Sequence, residues 1–288
     1  MGMLSGKVAF VTGGGSGIGR GIAERLAREG ADVSIGEIDL AGAEETAELV
    51  RQAGRQAHVV KMNVAAAQHV QEAVESCVSA LGRLDIAVAN AGIARASTLL
   101  EMNLKDWQDQ VDVNLTGVFV TAQAAARKMV ELGNGGRIIC LSSLAAERTR
   151  ARMWSYSATK AGVRMMVRGW AQELGPHGIT VNAIGPGIIE TPLARPLAGD
   201  EGGAIRQRVE TLTPVGRVGQ PSDIAGLAAF LCGPDAAFMT GSYLIMDGGL
   251  ADARPAPDRE SPFWAETERY ILDAQQRRER MQPWIDER

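Results

Sequence analysis

Lys7-Val8-Ala9-Phe10-Val11-Thr12-Gly13-Gly14-Gly15-Ser16-Gly17-Ile18-Gly19 is the stretch that decides the fold. Residues 7–12 form a short apolar run that stops at glycines, the pattern of a buried strand. Ile18, Ile22 and Leu26 then recur at helical spacing up to Arg28. Strand, glycine turn and helix in succession make the first half of a β-α-β unit.

The same rhythm continues outward. Strands are expected at 32–37, 57–62, 84–89, 136–141, 180–184 and 242–246. Helices are expected at 41–53, 67–81, 104–131, 154–174 and 221–231, with the 104–131 helix broken near Asn114. Helices between successive strands demand right-handed crossovers and a parallel sheet covered on both faces. The expected fold is a single α/β domain, a Rossmann-like doubly wound sheet of seven parallel strands, over residues 1–249. Nothing resembling a linker interrupts it. From residue 250 the composition changes: sixteen of the last 39 residues are charged. This C-terminal extension, 250–288, carries a Ser261-Pro262 helix start and an apolar repeat that predict a helix near 262–282. Trp264 and Trp284 imply that it packs on a neighbouring subunit or over the cleft.

The glycine turn is suited to a phosphate. Glycines admit positive φ and close backbone approach, and the N-terminus of the next helix offers free N–H groups and a positive dipole end. Gly13, Ser16, Gly17, Ile18 and Gly19 are the candidate contacts. Glu37 ends the second strand, where a carboxylate accepts from both ribose hydroxyls of an adenosine and repels a 2′-phosphate. No basic residue adjoins it, so NAD(H) is favoured over NADP(H). Asp39 is a rival for that role. A second site follows from Tyr156 and Lys160, at i and i+4 on one helix face. A lysine cation favours the phenolate and lowers the phenol pKa, suiting Tyr156 to exchange a proton with an alcohol or ketone. Ser143, at the end of the fifth strand, can hold the substrate oxygen.

With these residues in place the chain resembles the short-chain dehydrogenase/reductase family over about residues 5–249. Thr12-Gly13-x-x-x-Gly17-x-Gly19, Asn90-Ala91-Gly92, Asn114, Ser143, Tyr156-x-x-x-Lys160 and Pro186-Gly187-x-x-x-Thr191 match in order and spacing. The resemblance implies Tyr156 as general acid/base and Lys160 as its electrostatic partner on the nicotinamide ribose. It implies Ser143 as the group that polarises the substrate oxygen, and Asn114 as holder of a relay water. Asn90, Ala91 and Gly92 would pass beneath the adenine ribose. Pro186, Gly187, Ile189 and Thr191 would contact the nicotinamide, and residues 191–213 would close over the substrate. Asn63-Val64 stands where the family usually has Asp-Val at the adenine, and an amide oxygen can still accept from the adenine amino group. A homotetramer or homodimer, built partly from the two long helices, is also implied.

Arg148, Arg150 and Arg152 alternate between Ser143 and Tyr156, and Arg95 follows Gly92 closely. With Ala145 and Met153 they predict a polar or anionic substrate, because arginine binds carboxylate or phosphate bidentately. The remaining composition excludes other classes. A net charge of −4 and 5% aromatics argue against nucleic-acid partners. Three scattered cysteines and three isolated histidines predict neither a disulfide framework nor a metal site. No signal-peptide pattern and no apolar run of about 18 residues is present, which predicts a cytoplasmic protein without a membrane span. The leading expectation is an NAD-dependent dehydrogenase/reductase interconverting a secondary alcohol and a ketone, with sugar-, polyol- or hydroxy-acid-like substrates. The alternatives are a 3-oxoacyl-thioester reductase, against which Glu37 argues, and a non-catalytic dinucleotide sensor, against which the Asn114-Ser143-Tyr156-Lys160 set argues.

Overall fold

The computed structural model describes residues 2–251. The expected helix at 262–282 and the packing of Trp264 and Trp284 lie outside the described residues. Seven parallel strands make one sheet in the order β3-β2-β1-β4-β5-β6-β7. They are β1 Val8–Thr12, β2 Asp32–Glu37, β3 Ala57–Lys61, β4 Ile86–Ala89, β5 Gly136–Leu141, β6 Ile179–Pro186 and β7 Tyr243–Met246. The helices are α1 Gly17–Arg28, α2 Leu40–Gln52, α3 Ala67–Leu81, α4 Leu104–Val111, α5 Gly117–Leu132, α6 Trp154–Leu174, α7 Arg195–Ala198, α8 Ala204–Leu212 and α9 Pro221–Cys232.

The two apolar faces of the sheet carry separate halves of the core. Ile22, Leu26, Ile35, Val50 and Ile224 join α1, α2 and α9 to one face. Phe10, Val74, Met129, Val163 and Val167 join α3, α5 and α6 to the other. Central strands such as β1 and β4 are therefore buried on both sides, which is why they read as continuous apolar runs rather than alternating ones. Chain order reverses between β1 and β4. At such a point the crossovers leave to opposite faces, and a crevice opens at the carboxyl ends of the strands.

Two features of the connections bear on function. The break in the long helix is a π-helical turn, Asp112–Thr116, between α4 and α5. Residues 191–213, expected to close over the substrate, contain α7 and α8. Glu190 and Arg206 fasten α8 to the strap after β6 at 3.1 Å.

Candidate active site

A cleft of about 360 Å³ crosses the carboxyl ends of the strands. Its floor at one end is the glycine turn. Gly13 and Gly17 have φ of +64° and +52°, a region closed to most side chains. The turn is braced from β4: the Asn90 amide donates to the Thr12 and Gly13 carbonyls at 3.0 and 2.9 Å. Asn90 thus shapes the turn as well as lining the cleft. Glu37 reaches back from β2, where one carboxylate oxygen accepts the Gly15 N–H at 3.1 Å and the other accepts the Ile38 N–H at 2.8 Å. The rival Asp39 is used elsewhere, capping α2 through Ala41 N–H at 3.1 Å. Arg20, the cation nearest the turn, is spent on the Gly15 carbonyl at 2.6 Å and on Glu45 at 2.7 Å. Asn63 holds an Asx turn, its oxygen accepting the Ala65 N–H at 3.0 Å. That bond uses one of the two lone pairs of the amide oxygen, and the other stays available in the cleft.

At the other end stand Ser143, Tyr156 and Lys160. The Lys160 ammonium lies 5.7 Å from the Tyr156 ring centroid and donates to the Leu141 carbonyl at 2.7 Å. Burial lowers its pKa to about 8. Desolvation pushes the Tyr156 phenol up, and the hydrogen bond with Ser143 only partly offsets it. The sequence reading had the lysine lowering this pKa. In the protein, removal from water dominates the phenol, and the offset comes from Ser143. The Ser143 hydroxyl accepts the Ala145 N–H at 3.1 Å, which leaves its proton free to donate. Asn114 is fully buried in the π-turn, and its amide exchanges two 2.8 Å bonds with the Ile93 main chain. Its side chain therefore locks residue 93. A relay water, which the sequence reading gave to Asn114, would have to share or displace those bonds. A Cβ on Gly92 would stand 3.3 Å from Asn114 Oδ1 and 3.7 Å from Lys160 Nζ, so these groups meet at one point.

Phosphate-binding N–H groups, a ribose-end carboxylate and a tyrosine–lysine pair in one cleft suit a nicotinamide dinucleotide. The family model described as enoyl-(acyl carrier protein) reductase matches residues 13–251. The chain belongs to the short-chain dehydrogenase/reductase family. It is 39% identical to a 3-oxoacyl-[acyl-carrier-protein] reductase of Aquifex aeolicus, over 86% of this chain and 98% of that one. It is 38% identical to an L-rhamnose 1-dehydrogenase (NAD(P)(+)) of Sphingomonas, over 87% and 98%. A metagenomic blue fluorescent protein solved in complex with NADPH superposes with a TM-score of 0.79 at 38% identity, covering 86% and 99%. As a member of this family the protein is an oxidoreductase of alcohol and ketone groups that uses a nicotinamide dinucleotide. Among the described residues no helix is long and apolar enough to cross a membrane.

The structure brings most of the expected contacts to the cleft: Gly13, Ser16, Gly17, Ile18, Gly19, Glu37, Asn63, Val64, Asn90, Ala91, Gly92, Pro186, Gly187, Ile189 and Thr191. It does not bring the arginines. Arg95 turns to Asp106 at 3.7 Å, and Arg152 faces Glu101 at 4.0 Å. Arg148 donates to the Ala251 carbonyl, and Arg150 is exposed. Ala145 and Met153 also lie off the cleft; Met153 is the residue before α6. Alternate residues share a side only on an extended backbone. Here the segment turns, and Arg152 takes φ +70°, so the spacing carried no common direction. Pro192, Leu193 and Ala194, from the segment expected to close over the substrate, also line the cleft, which is completed by residues not singled out: Ile93, Val113 and, beside Asn63, Met62. Only their adjacency to recognised motifs signalled them.

Proposed function

We propose that the protein is an NAD(H)-dependent dehydrogenase/reductase of a neutral secondary alcohol, polyol- or sugar-like, with Tyr156 as general acid/base. The observation that carries this reading is the pairing, in one cleft, of Glu37 at the ribose end with Ser143, Tyr156 and Lys160 at the other. A carboxylate already accepting a backbone N–H has lone pairs left for ribose hydroxyls, while its charge repels a phosphate. With no arginine among the described residues that line the cleft, a neutral substrate is favoured over an anionic one. The L-rhamnose dehydrogenase relative, at 38% identity, supports a neutral polyhydroxy compound.

The nicotinamide, when bound, supplies the hydride acceptor or donor. In oxidation, the Tyr156 oxygen takes the hydroxyl proton as the carbinol hydrogen leaves as hydride, and Ser143 donates to the forming carbonyl. In reduction the steps reverse, and a phenol pushed up by desolvation is already in its proton-donating form. Lys160, charged below about pH 8, steadies the phenolate and is placed to bind the ribose. Glycine turn, Asn63, Val64 and Asn90-Ala91-Gly92 hold the adenosine half, while Pro186, Gly187, Ile189 and Thr191 hold the nicotinamide. We further propose that a second copy covers the groove between α5 and α6, where Phe119 and Val130 stand 39% and 41% exposed. This would give the dimer from which a tetramer is built.

The test is a screen for NAD reduction across polyols, aldoses, hydroxy acids and simple secondary alcohols, repeated with NADP and run in reverse with 3-oxoacyl thioesters. Turnover of a neutral alcohol with NAD is expected. Preferred turnover of a 3-oxoacyl thioester with NADPH refutes the reading in favour of the carrier-protein reductase alternative.

A further inference from the structure

Ser143 is gripped from behind by a side chain with no part in the proton transfer. Tyr243 lies on β7, paired in register with Ala183 of β6. Its hydroxyl donates to the Ser143 main-chain carbonyl at 2.6 Å. The same carbonyl accepts the Ala146 N–H at 2.9 Å, so both its lone pairs are engaged. The reach depends on a glycine in the intervening strand: a Cβ on Gly185 would stand 2.5 Å from the Tyr243 hydroxyl.

The ring is itself fixed. The Arg164 guanidinium covers it at 5.1 Å from the centroid and pairs with Glu147 at 2.7 Å. Arg164 lies one turn beyond Lys160 and two turns beyond Tyr156 on α6. Glu147 closes the 3₁₀ turn that Ser143 opens. The contacts Ser143–Tyr243–Arg164–Glu147 therefore leave the serine turn, cross β7 and α6, and return to the same turn.

We propose that Tyr243, backed by Arg164 and Glu147, is the positioning residue for Ser143, holding the backbone from which the serine hydroxyl is presented to the substrate oxygen. A half-buried tyrosine needs some partner for its hydroxyl, but any surface carbonyl would serve. This one belongs to the residue whose Oγ meets the substrate. A misplacement of about 1 Å at such a group costs about 10²-fold in rate. Tyr243 is pushed up to about 12 by burial and by the neighbouring Glu147 charge, so it stays a proton donor throughout the working range.

The inference rests on the secondary-alcohol reading for its kinetic arm only. In the full-length chain, Tyr243→Phe removes just the hydroxyl. By hydrogen exchange, the amides of residues 145–147 are expected to exchange about ten-fold faster, with the glycine turn unchanged. Unaltered protection overturns the proposal whatever the substrate. With the best alcohol and NAD, kcat is expected to fall about ten-fold while the cofactor Kd stays within twofold. In a Ser143→Ala background the same substitution is expected to cost less than twofold, because its effect runs through Ser143. Equal losses in both backgrounds overturn the proposal. If Tyr243→Phe does not fold, Arg164→Gln carries both readouts with smaller, several-fold effects, and wild-type exchange and kcat in it are the overturning result. Failure of every alcohol in the wild type sinks the functional reading, and the exchange arm still decides the role of Tyr243.

Discussion

Glu37→Gln is the perturbation that probes cofactor choice most directly. Gln keeps an oxygen that can accept the Gly15 N–H, now at 3.1 Å, so the local turn survives and only charge is removed. A 2′-phosphate would hang from the hydroxyl nearest that carboxylate. Two unit charges about 5 Å apart repel by about 3 kcal/mol at an effective dielectric of about 20. Glu37 sits at the half-buried edge of the cleft, and water screening there takes roughly half of that. The remainder, about 1.5 kcal/mol, is about tenfold in affinity. Replacing a charge-assisted by a neutral hydrogen bond to the ribose also weakens NAD by about 1 kcal/mol, about fivefold. The NAD-over-NADP ratio in kcat/KM is therefore expected to fall by about fifty-fold. The assay is initial rates with both cofactors for wild type and variant. Competition by 2′-phosphorylated and plain adenosine monophosphate repeats the comparison without any alcohol substrate. A ratio within twofold of wild type in both assays refutes the assignment of Glu37.

Three further outcomes follow from the geometry. Tyr156→Phe removes the proton-transferring oxygen and is expected to lower kcat by about 10²–10⁴-fold with cofactor affinity within twofold; measurable wild-type kcat contradicts the mechanism. Lys160 titrates near 8 in the folded protein against an ordinary 10.5. The folded state thus loses this proton first, and the group's contribution to stability rises with pH between those values. Denaturant midpoints of wild type relative to Lys160→Met should climb from pH 8 to 10, and a flat difference disposes of the buried ammonium. Gly187→Ala would set a Cβ 2.7 Å from the Asp247 Cα, forcing β7 away at a cost of about 1–3 kcal/mol. A drop of several degrees in Tm is expected by calorimetry, and an unchanged Tm shows that the strands yield freely.

The sheet was legible because each strand and helix carries its own period, and glycines mark the junctions. The 67–81 and 154–174 helices were read to their observed ends, and α1, α2 and α9 to within a residue or two. Where reading failed, the cause was tertiary. At Asn114 the break was legible but not its π-helical form, in which the side chain pairs with the Ile93 main chain 21 residues away. The short α7 and α8 were masked by Pro192, Pro196 and three glycines. Arg206 ties α8 to Glu190, 16 residues back in the chain, a partner no local pattern reveals.

The candidate site divides along the same line. Residues whose chemistry needs fixed spacing on one element, such as Tyr156 and Lys160 or Gly13, Gly17 and Gly19, announce themselves. A role that depends on two elements meeting does not. Tyr243 lies 100 residues from Ser143, on a strand where a tyrosine is an unremarkable β-former. Nothing before the fold is known distinguishes it from core. The arginines of 148–152 are the converse case, a visible pattern with no shared direction, because their backbone turns. Periodicity is informative only where the backbone repeats. In this cleft the substrate end is built of loops, and so the glycine turn and the Tyr156–Lys160 spacing could be read from the chain while the residues at the substrate end could not.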